Sequence, residues 1–288
     1  MSRVYDALRQ MEKDQQRAGG APAAVPAAEL IPAAVIQDQL ESLETRHAKT
    51  KVGPKSRLVA LTDPHGLGAE KFRALATRLE NLRGPKQVKS LQVTSGLSME
   101  GKSLVAANLA VTLGRRSRSK VLLLEGDLHR PTISSLLGLT GLRGIGDWWS
   151  GQEKEIELCL YRLDDMPLWF LSAGLCEEQP SHILQSERFA EAFGRLTSLF
   201  DWIVVDSTPM APVADANLWS RLLDGTLLVV REGVASSRAL TKGLQSLDDP
   251  KLIGIVLNEA SESARSDYAD GYYGVEPKSR PKQNEDRG

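Results

Sequence analysis

The sequence predicts an α/β fold in which a parallel β-sheet is flanked by helices on both faces. One observation behind this prediction is a series of short runs rich in Val, Ile and Leu, too continuous for half-exposed strands. The other is that stretches with helical spacing of apolar residues lie between those runs. Strands buried on both sides and separated by helices are typical of parallel sheets, because helical crossovers join parallel neighbours.

The elements can be placed in order along the chain. The predicted strands are the six runs VKSLQVTS, KVLLLEGD, PLWFLSAG, DWIVVDST, GTLLVVRE and KLIGIVLN. A helix over Ala69–Arg83 is predicted from apolar residues at helical spacing, namely Phe72, Leu75, Leu79 and Leu82. Three further helices are predicted between strands, over Ser103–Arg115, Ser186–Leu199 and Ser236–Leu247.

The 288-residue chain divides into three predicted parts. Residues 1–57 hold a short amphipathic helix, at about 3–16, and an Ala/Pro-rich flexible linker. Residues 58–260 form the α/β domain, and the polar residues 261–288 form a tail predicted to be disordered. The N-terminal helix is either a docking element on a tether or a solvated chain end, and the sequence leaves both open.

Composition narrows the classes of partner and location. Because 36 Lys and Arg balance 37 Asp and Glu, the net charge of -1 indicates neither nucleic-acid binding nor direct attraction to a membrane. No run approaches the ~20 apolar residues that span a bilayer. Cys159 and Cys176 lie in no metal-binding spacing and are typical of thiols in a reducing compartment. We therefore expect a cytoplasmic protein that contacts a membrane only through a partner.

The stretch Gly96–Ser103 reads GLSMEGKS and matches G-x-x-x-x-G-K-[ST] at every fixed position. Glycine permits the backbone angles that turn successive N–H groups inward around an anion. The helix that follows would direct its positive N-terminal end at the phosphates. Lys102 would reach the outer phosphates, and the Ser103 hydroxyl would bind Mg²⁺. Because the loop lies between a predicted strand and a predicted helix, a nucleotide-binding loop is favoured over a plain turn.

Acidic residues end two of the predicted strands. Glu125 and Asp127 follow the run KVLLL, and Asp206 ends the run DWIVVD. The carboxyl ends of parallel strands face the ligand crevice of an open α/β sheet. Carboxylates suit Mg²⁺, which they hold directly or through its water molecules. We therefore expect these three side chains beside the phosphate loop.

In combination, the motifs resemble the bacterial tyrosine kinases of the capsular and exopolysaccharide type. The resemblance spans residues 58–260 and rests on the phosphate loop, the acidic pair followed by Arg-Pro, and the motif VVDSTPMAPVADA. The stretches LVALTDPHG, LLVVREGVASSRAL and MSRVYDAL are similar to the family as well. The tail carries Tyr268, Tyr272 and Tyr273, similar to the tyrosine cluster that these kinases phosphorylate on one another.

The resemblance implies a P-loop NTPase of the partition-ATPase-like type that binds ATP and Mg²⁺ and transfers the γ-phosphate to tyrosine. It implies that Lys102 stabilises the phosphates, that Asp127 helps to deprotonate the attacking tyrosine, and that Asp206 organises the metal. Ser103 and the two aspartates would be the metal ligands. The residues implied to contact the nucleotide are Gly96, Ser98, Met99, Glu100, Gly101, Lys102 and Ser103. Asn258 would either touch the adenine or be an ordinary turn asparagine.

The resemblance also implies partners. Members of the family usually depend on a membrane polysaccharide co-polymerase whose cytoplasmic end activates the kinase. This chain would be the separate cytoplasmic partner, held at the inner membrane through that protein, and it would self-associate. Its activity would then regulate the polymerisation and export of a capsular or extracellular polysaccharide.

The chain departs from the family pattern at several positions. Glu125 replaces the usual Asp, His129 the usual Arg, and Ser98-Met99 the usual Pro-Gly. The family's subunit-contact pattern is Glu, Arg and Arg at three-residue steps, and here it is Glu70, Arg73 and Ala76, so the second Arg is missing. The extra methylene of Glu125 moves a carboxylate by about 1 Å, a misplacement that can cost about 10²-fold in rate. A second hypothesis is therefore a degenerate kinase that binds nucleotide and regulates partners with little phosphoryl transfer.

A third hypothesis is an ATPase switch of the partition or septum-placement type. Those proteins have a similar phosphate loop but commonly carry a lysine near its start. Here the loop has no lysine before Lys102, and those ATPases lack a tyrosine-bearing tail. The kinase hypothesis is therefore favoured.

Overall fold

The structure is a computed structural model that describes residues 46–86, 88–116, 119–210, 215–233 and 251–259. Four predicted features lie outside these residues. They are the N-terminal helix at about 3–16, the Ala/Pro-rich linker after it, the helix over Ser236–Leu247 and the tyrosine-bearing tail.

One sheet of eight strands runs through the described part of the chain. In chain order the strands are β1 (Arg46–Ala48), β2 (Ser90–Ser95), β3 (Val121–Glu125), β4 (Leu160–Leu163), β5 (Trp169–Leu171), β6 (Trp202–Asp206), β7 (Gly225–Arg231) and β8 (Leu252–Asn258). Across the sheet they lie in the order β1-β4-β5-β3-β6-β2-β7-β8. All neighbours are parallel except β4 and β5, which pair antiparallel. The central strands β3, β6 and β2 therefore end at the same edge of the sheet.

Helices connect and cover these strands. They are α1 (Val59–Thr62), α2 (Leu67–Lys86), α3 (Lys102–Arg116), α4 (Ile133–Leu136), α5 (Ile145–Trp149), α6 (Pro180–Gln185), α7 (Glu187–Leu199) and α8 (Asp215–Leu222), with a 3₁₀ turn at Ile156–Cys159. The start of α7 is capped by Ser186, whose Oγ accepts the N–H of Phe189 at 3.1 Å and so satisfies a free donor of the first turn. Among the described residues, every helix is too short or too polar to cross a bilayer.

The two faces of the sheet belong to two apolar cores. Val121 and Leu123 of β3 pack in the core that includes α2 and α3, whereas Leu122 and Leu124 pack in the core that includes α6, α7 and α8. Successive strand residues point to opposite faces, so a strand buried on both sides must be apolar throughout. Each fully buried leucine contributes about 1.5–3 kcal/mol to the free energy of unfolding. The continuous apolar runs of the sequence thus correspond to a sheet covered on both faces, which confirms the predicted fold class.

The six predicted strands are all present, and the structure adds β1 and β4. Both added strands are short and carry polar side chains, His47 in β1 and Arg162 in β4, so neither forms a long apolar run. The sheet therefore begins before residue 58, where the sequence placed the start of the α/β domain. The antiparallel pair β4 and β5 also makes the sheet mixed at one side, because a short turn at 164–168 joins the two strands.

The segment around β1 is attached to the domain by specific contacts. Arg46 forms an ion pair with Glu153 at 2.7 Å, and Thr50 donates a hydrogen bond to Asp165. The N–H of Lys51 donates to the carbonyl of Leu137 at 2.8 Å.

We predict that a chain beginning at residue 58 is less stable than one beginning at residue 46. The shorter chain loses the β1–β4 pairing and the contacts of Thr50 and Lys51. Because a hydrogen bond contributes about 1 kcal/mol net, the free energy of unfolding should fall by about 2–4 kcal/mol in urea denaturation. Arg46→Ala in the longer chain, which removes the ion pair alone, should cost less. Equal stabilities for the two chains would support a domain boundary at 58.

Candidate active site

The loop over residues 96–101 joins the end of β2 to the start of α3. Gly101 has a φ of 95°, in the left-handed region that glycine enters without steric cost. Met99 has a φ of 66° and an 87% exposed side chain, so a bulky residue occupies a backbone position that favours glycine. The loop therefore takes the left-handed turns of an anion-binding nest even where methionine replaces the family's glycine.

The side chain of Glu100 lies inside the loop. Its carboxylate is fully buried, and Oε2 accepts the N–H of Leu97 at 2.7 Å while Oε1 accepts that of Arg231 at 3.3 Å. Burial of a carboxylate is costly unless donors satisfy it, and here the main chain supplies them. The Glu100 side chain therefore stabilises the loop, and the predicted nucleotide contact of this residue would have to come from its main chain.

Four predicted site residues meet at the first turn of α3. The Lys102 ammonium lies 2.9 Å from Asp127 Oδ2, 3.2 Å from Asp206 Oδ1 and 3.3 Å from Ser103 Oγ. Asp127 follows β3 and Asp206 ends β6, and these two strands are adjacent and parallel. The sheet therefore brings the two carboxylates together at the carboxyl ends of its central strands.

Burial controls the protonation of Asp206. The side chain is fully buried, which raises the pKa of its carboxyl group to about 6, and the neighbouring Lys102 ammonium only partly opposes this rise. A raised pKa means that the folded environment solvates the charged form poorly. A further cation nearby would therefore stabilise the charged form of Asp206.

Oxygen atoms suited to Mg²⁺ are present beside Lys102. Within the described residues, the buried atoms Asp206 Oδ2 and Thr208 Oγ1 have no hydrogen-bond partner. The Ser103 hydroxyl accepts a hydrogen bond from Thr132 Oγ1 at 2.7 Å. Hydroxyl and carboxylate oxygens are the hard ligands that Mg²⁺ prefers, and it commonly keeps several waters. In the described ranges, no group of three or more His, Cys, Asp or Glu side chains could hold a metal ion. A Mg²⁺ ion at this site would therefore take its ligands from Ser103, an aspartate, water and phosphate.

The Glu125 carboxylate forms its hydrogen bonds with residues outside the phosphate loop. Its fully buried carboxylate accepts hydrogen bonds from Ser134 N (2.8 Å) and Oγ (2.7 Å), and from Ser172 Oγ and Ala173 N (both 3.2 Å). The longer glutamate side chain thus joins β3 to the start of α4 and to the segment after β5. Glu125 stabilises the fold, and Asp127 is the acidic residue of the pair that contacts Lys102.

His129 lies on the loop after β3 and pairs with a residue that sequence reasoning did not single out. Its Nε2 atom is 2.9 Å from Oδ2 of Asp215, at the start of α8. Burial raises the pKa of Asp215, and the facing His129 opposes this rise. Asp215 lies within the motif VVDSTPMAPVADA, so an acidic residue near the end of that motif was the available signal. Thr132, which contacts Ser103, follows the Arg-Pro pair and carried no comparable signal.

Ala76 has a packing role. The residue is fully buried in the core against α3, whereas Glu70 and Arg73 on the same helix form an ion pair. A long arginine side chain at position 76 would have to displace core residues, which is costly in a close-packed interior. The missing second Arg of the family pattern therefore corresponds to an inward-facing position of α2.

Asn258 ends β8 beside the phosphate loop, where its Nδ2 donates a hydrogen bond to the carbonyl of Glu100 at 2.8 Å. The Asn258 side chain thus links the end of β8 to the main chain of the phosphate loop. The predicted phosphorylation sites, at positions 268, 272 and 273, lie outside the described residues.

A phosphate loop between a parallel strand and a helix, with aspartates ending the adjacent strands, defines a P-loop NTPase. The fold agrees with solved structures of that class. The ParA family ATPase from Chlorobium tepidum TLS is similar with a TM-score of 0.52 and 20% identity, over 68% of this chain and 85% of that one. The kinase domain of the Escherichia coli tyrosine kinase ETK is similar with a TM-score of 0.66 and 23% identity, over 86% of this chain and 94% of that one.

Sequence relatives identify the family within this class. The chain is 30% identical over 220 residues to the tyrosine-protein kinase YwqD of Bacillus subtilis, covering 76% of this chain and 91% of the relative. It is 30% identical over 219 residues to the putative tyrosine-protein kinase CapB of Staphylococcus aureus, covering 73% and 92%. The succinoglycan biosynthesis transport protein ExoP of Rhizobium meliloti is 29% identical over 224 residues, covering 75% of this chain and 28% of ExoP. No family model matches the chain. The chain belongs to the bacterial tyrosine-protein kinases, and membership of a kinase family implies the use of a nucleotide.

We predict that Asp206→Asn removes a pH-dependent loss of stability that the nucleotide-free parent shows. The pKa of the Asp206 carboxyl group is about 6 in the folded protein, compared with a reference value of 3.8. Because the folded protein disfavours the charged form, the parent loses stability as the pH rises from about 4 through about 6. The variant has no carboxyl group there to titrate. Its free energy of unfolding relative to that of the parent should therefore rise by about 2–3 kcal/mol between pH 4 and pH 7.5.

Urea denaturation at the two pH values measures this difference. A constant stability difference between Asp206→Asn and the parent at both pH values would contradict the burial-driven pKa.

Proposed function

We propose that the protein is an ATP-dependent protein-tyrosine autokinase. The observation that carries the proposal is the meeting of Lys102, Ser103, Asp127 and Asp206 beside a complete phosphate loop, in a chain of the tyrosine-protein kinase family. Phosphoryl transfer depends mainly on positioning and on electrostatic stabilisation of the transferring group. The buried Lys102 and the two aspartates that contact it would supply both.

The residues would act in a defined order. Lys102 would exchange its contacts with the two aspartates for the outer phosphates of ATP, while the loop N–H groups bind the same phosphates. Ser103 and Asp206 would hold Mg²⁺, which supplies positive charge to the phosphate oxygens when bound. Asp127, released from Lys102, would accept the hydroxyl proton of the attacking tyrosine. The tyrosine oxygen would bond to the γ-phosphorus as the bond from that phosphorus to ADP breaks and ADP leaves.

The proposed acceptors are Tyr268, Tyr272 and Tyr273. The first lies ten positions beyond Asn258, the last residue of β8. We propose that these ten residues act as a coil, which would span on the order of 15–20 Å and would suit transfer to the active site of a neighbouring subunit. Each phosphotyrosine would add about 1.5–2 negative charges, so modified tails would repel one another and loosen the assembly.

A second candidate is a nucleotide-binding regulator with little phosphoryl transfer. It is favoured by the two departures near the catalytic aspartate, since Glu125 is committed to the fold and His129 to Asp215. Incubation with labelled ATP and Mg²⁺ separates the candidates. Label on tyrosine supports the autokinase, and bound nucleotide without labelled protein supports the regulator.

The system in which the kinase acts is proposed from its relatives. One relative is named for succinoglycan biosynthesis and transport, and this chain covers 28% of that longer protein. We infer that the kinase regulates the polymerisation and export of a capsular or extracellular polysaccharide together with a membrane co-polymerase. That partner would hold the cytoplasmic kinase at the inner membrane.

We predict that Lys102→Met weakens Mg-ATP binding by about 10- to 100-fold in calorimetry. The variant removes the charge that meets the phosphates, and a hydrogen bond to a charged group contributes about 1.5–3 kcal/mol. Lys71→Met, on the exposed side of α2, removes the same charge elsewhere and should bind as the parent does. Thermal unfolding of the variant checks that it folds. Parent-like affinity in folded Lys102→Met protein would remove this lysine from the nucleotide site.

We predict that truncation after Ser261 leaves ATP affinity intact and abolishes tyrosine phosphorylation. Phe at positions 268, 272 and 273 should have the same effect on phosphorylation and should give oligomers in ATP that persist longer in light scattering, because no charge accumulates on the tails. Tyr5→Phe is the matched control and should be phosphorylated at the parent level. Undiminished phosphotyrosine in the truncated chain would exclude the tail as substrate.

A further inference from the structure

We propose that Asn258 is a positioning residue that keeps the phosphate loop in its anion-binding form. The inference rests on the proposed function in one respect, since it bears on catalysis only if the loop binds a nucleotide. It assigns Asn258 a role through the loop and not through the adenine.

The contact is close and spans most of the sequence. Asn258 Nδ2 donates to the carbonyl of Glu100 at 2.8 Å, across a separation of 158 positions. A Cβ added to Gly101 would lie 2.2 Å from the same Nδ2 atom. The Asn258 amide therefore packs directly against the peptide that joins Glu100 and Gly101, with no room for a side chain between them.

The orientation of that peptide decides what the loop presents to a ligand. In a trans peptide the carbonyl and the N–H point in opposite directions. Because Asn258 holds the Glu100 carbonyl, the Gly101 N–H is directed away from Asn258, as an anion-binding loop requires. The flipped peptide would turn an oxygen towards the phosphates. Gly101 resists such a rotation poorly, because glycine adopts both signs of φ readily.

Glu100 is held at its side chain as well as its main chain. The buried carboxylate binds the N–H of Leu97 within the loop and the N–H of Arg231 at the end of β7. Arg231 and Asn258 are opposite each other in the β7–β8 pairing. The ends of two neighbouring strands thus fix one residue of the loop from two sides.

The position of Asn258 is itself constrained by the next residue. Glu259 has a φ of 52° and forms ion pairs with Arg57 at 2.7 Å and with Arg231 at 2.5 Å. A non-glycine residue keeps such a conformation only where its surroundings enforce it. The end of β8 is therefore anchored before the chain continues into the tail.

The first experiment compares three ligands in calorimetry, namely Mg-ATP, Mg-GTP and Mg-tripolyphosphate. Asn258→Ala removes the donor, and Asn258→Asp keeps the size but places an acceptor against the Glu100 carbonyl. Each variant should weaken every ligand that the parent binds by a similar factor, about 5- to 20-fold. A loss for ATP with unchanged tripolyphosphate affinity would show that Asn258 reads the adenine and would overturn the proposal.

The second experiment needs no ligand. Amide hydrogen exchange at Leu97–Gly101 should accelerate in Asn258→Ala and remain at the parent rate in Leu257→Ala, a half-exposed apolar neighbour on the same strand. Unchanged exchange in Asn258→Ala would refute the positioning role. If exchange accelerates but the parent binds neither ATP nor tripolyphosphate, the positioning role stands and the proposed kinase function fails.

Discussion

The candidate active site beside the phosphate loop depends on one buried ammonium group that contacts two buried carboxylates. Lys102 is almost fully buried, as are Asp127 and Asp206, and its ammonium lies 2.9 Å from Asp127 and 3.2 Å from Asp206. Charges removed from water are tolerated only when they are paired. Because two negative groups face one positive group, the cluster has a negative excess that a further cation would balance. The same lysine is the only residue of the cluster suited to meet phosphate, so ligand binding would require it to change partners.

The loop that would receive the phosphates is held by its own residues and by the far strands of the sheet. The Glu100 carboxylate crosses the loop to Leu97 and reaches Arg231, while the Glu100 carbonyl is held by Asn258. These contacts explain how Met99 can occupy a left-handed position in place of glycine. The cost of about 1–2 kcal/mol is offset by a surrounding network that fixes the backbone.

The departures from the family pattern have separate physical consequences. Glu125 uses its extra length to reach Ser134, Ser172 and Ala173, so it contributes to the fold. Ala76 faces the core, where an arginine would not fit. His129 contacts the Asp215 carboxylate. None of these changes disrupts the contacts of Lys102 with Asp127 and Asp206, which is why the autokinase is proposed ahead of the regulator.

The class of fold, the phosphate loop and the family could all be predicted from the amino-acid sequence, because each depends on local patterns. Continuous apolar runs require strands buried on both faces, and the spacing of Gly96, Gly101, Lys102 and Ser103 specifies an anion-binding loop. Which acidic residue contacts Lys102 could not be predicted, because Glu125 and Asp127 are two positions apart and their partners lie far away in the chain. Short strands such as β1 and β4, which lack an apolar run, were likewise visible only once their neighbours were in place. The roles of Asn258 and Asp215 depend on side chains brought together by strand order, and no local pattern encodes contacts across such separations.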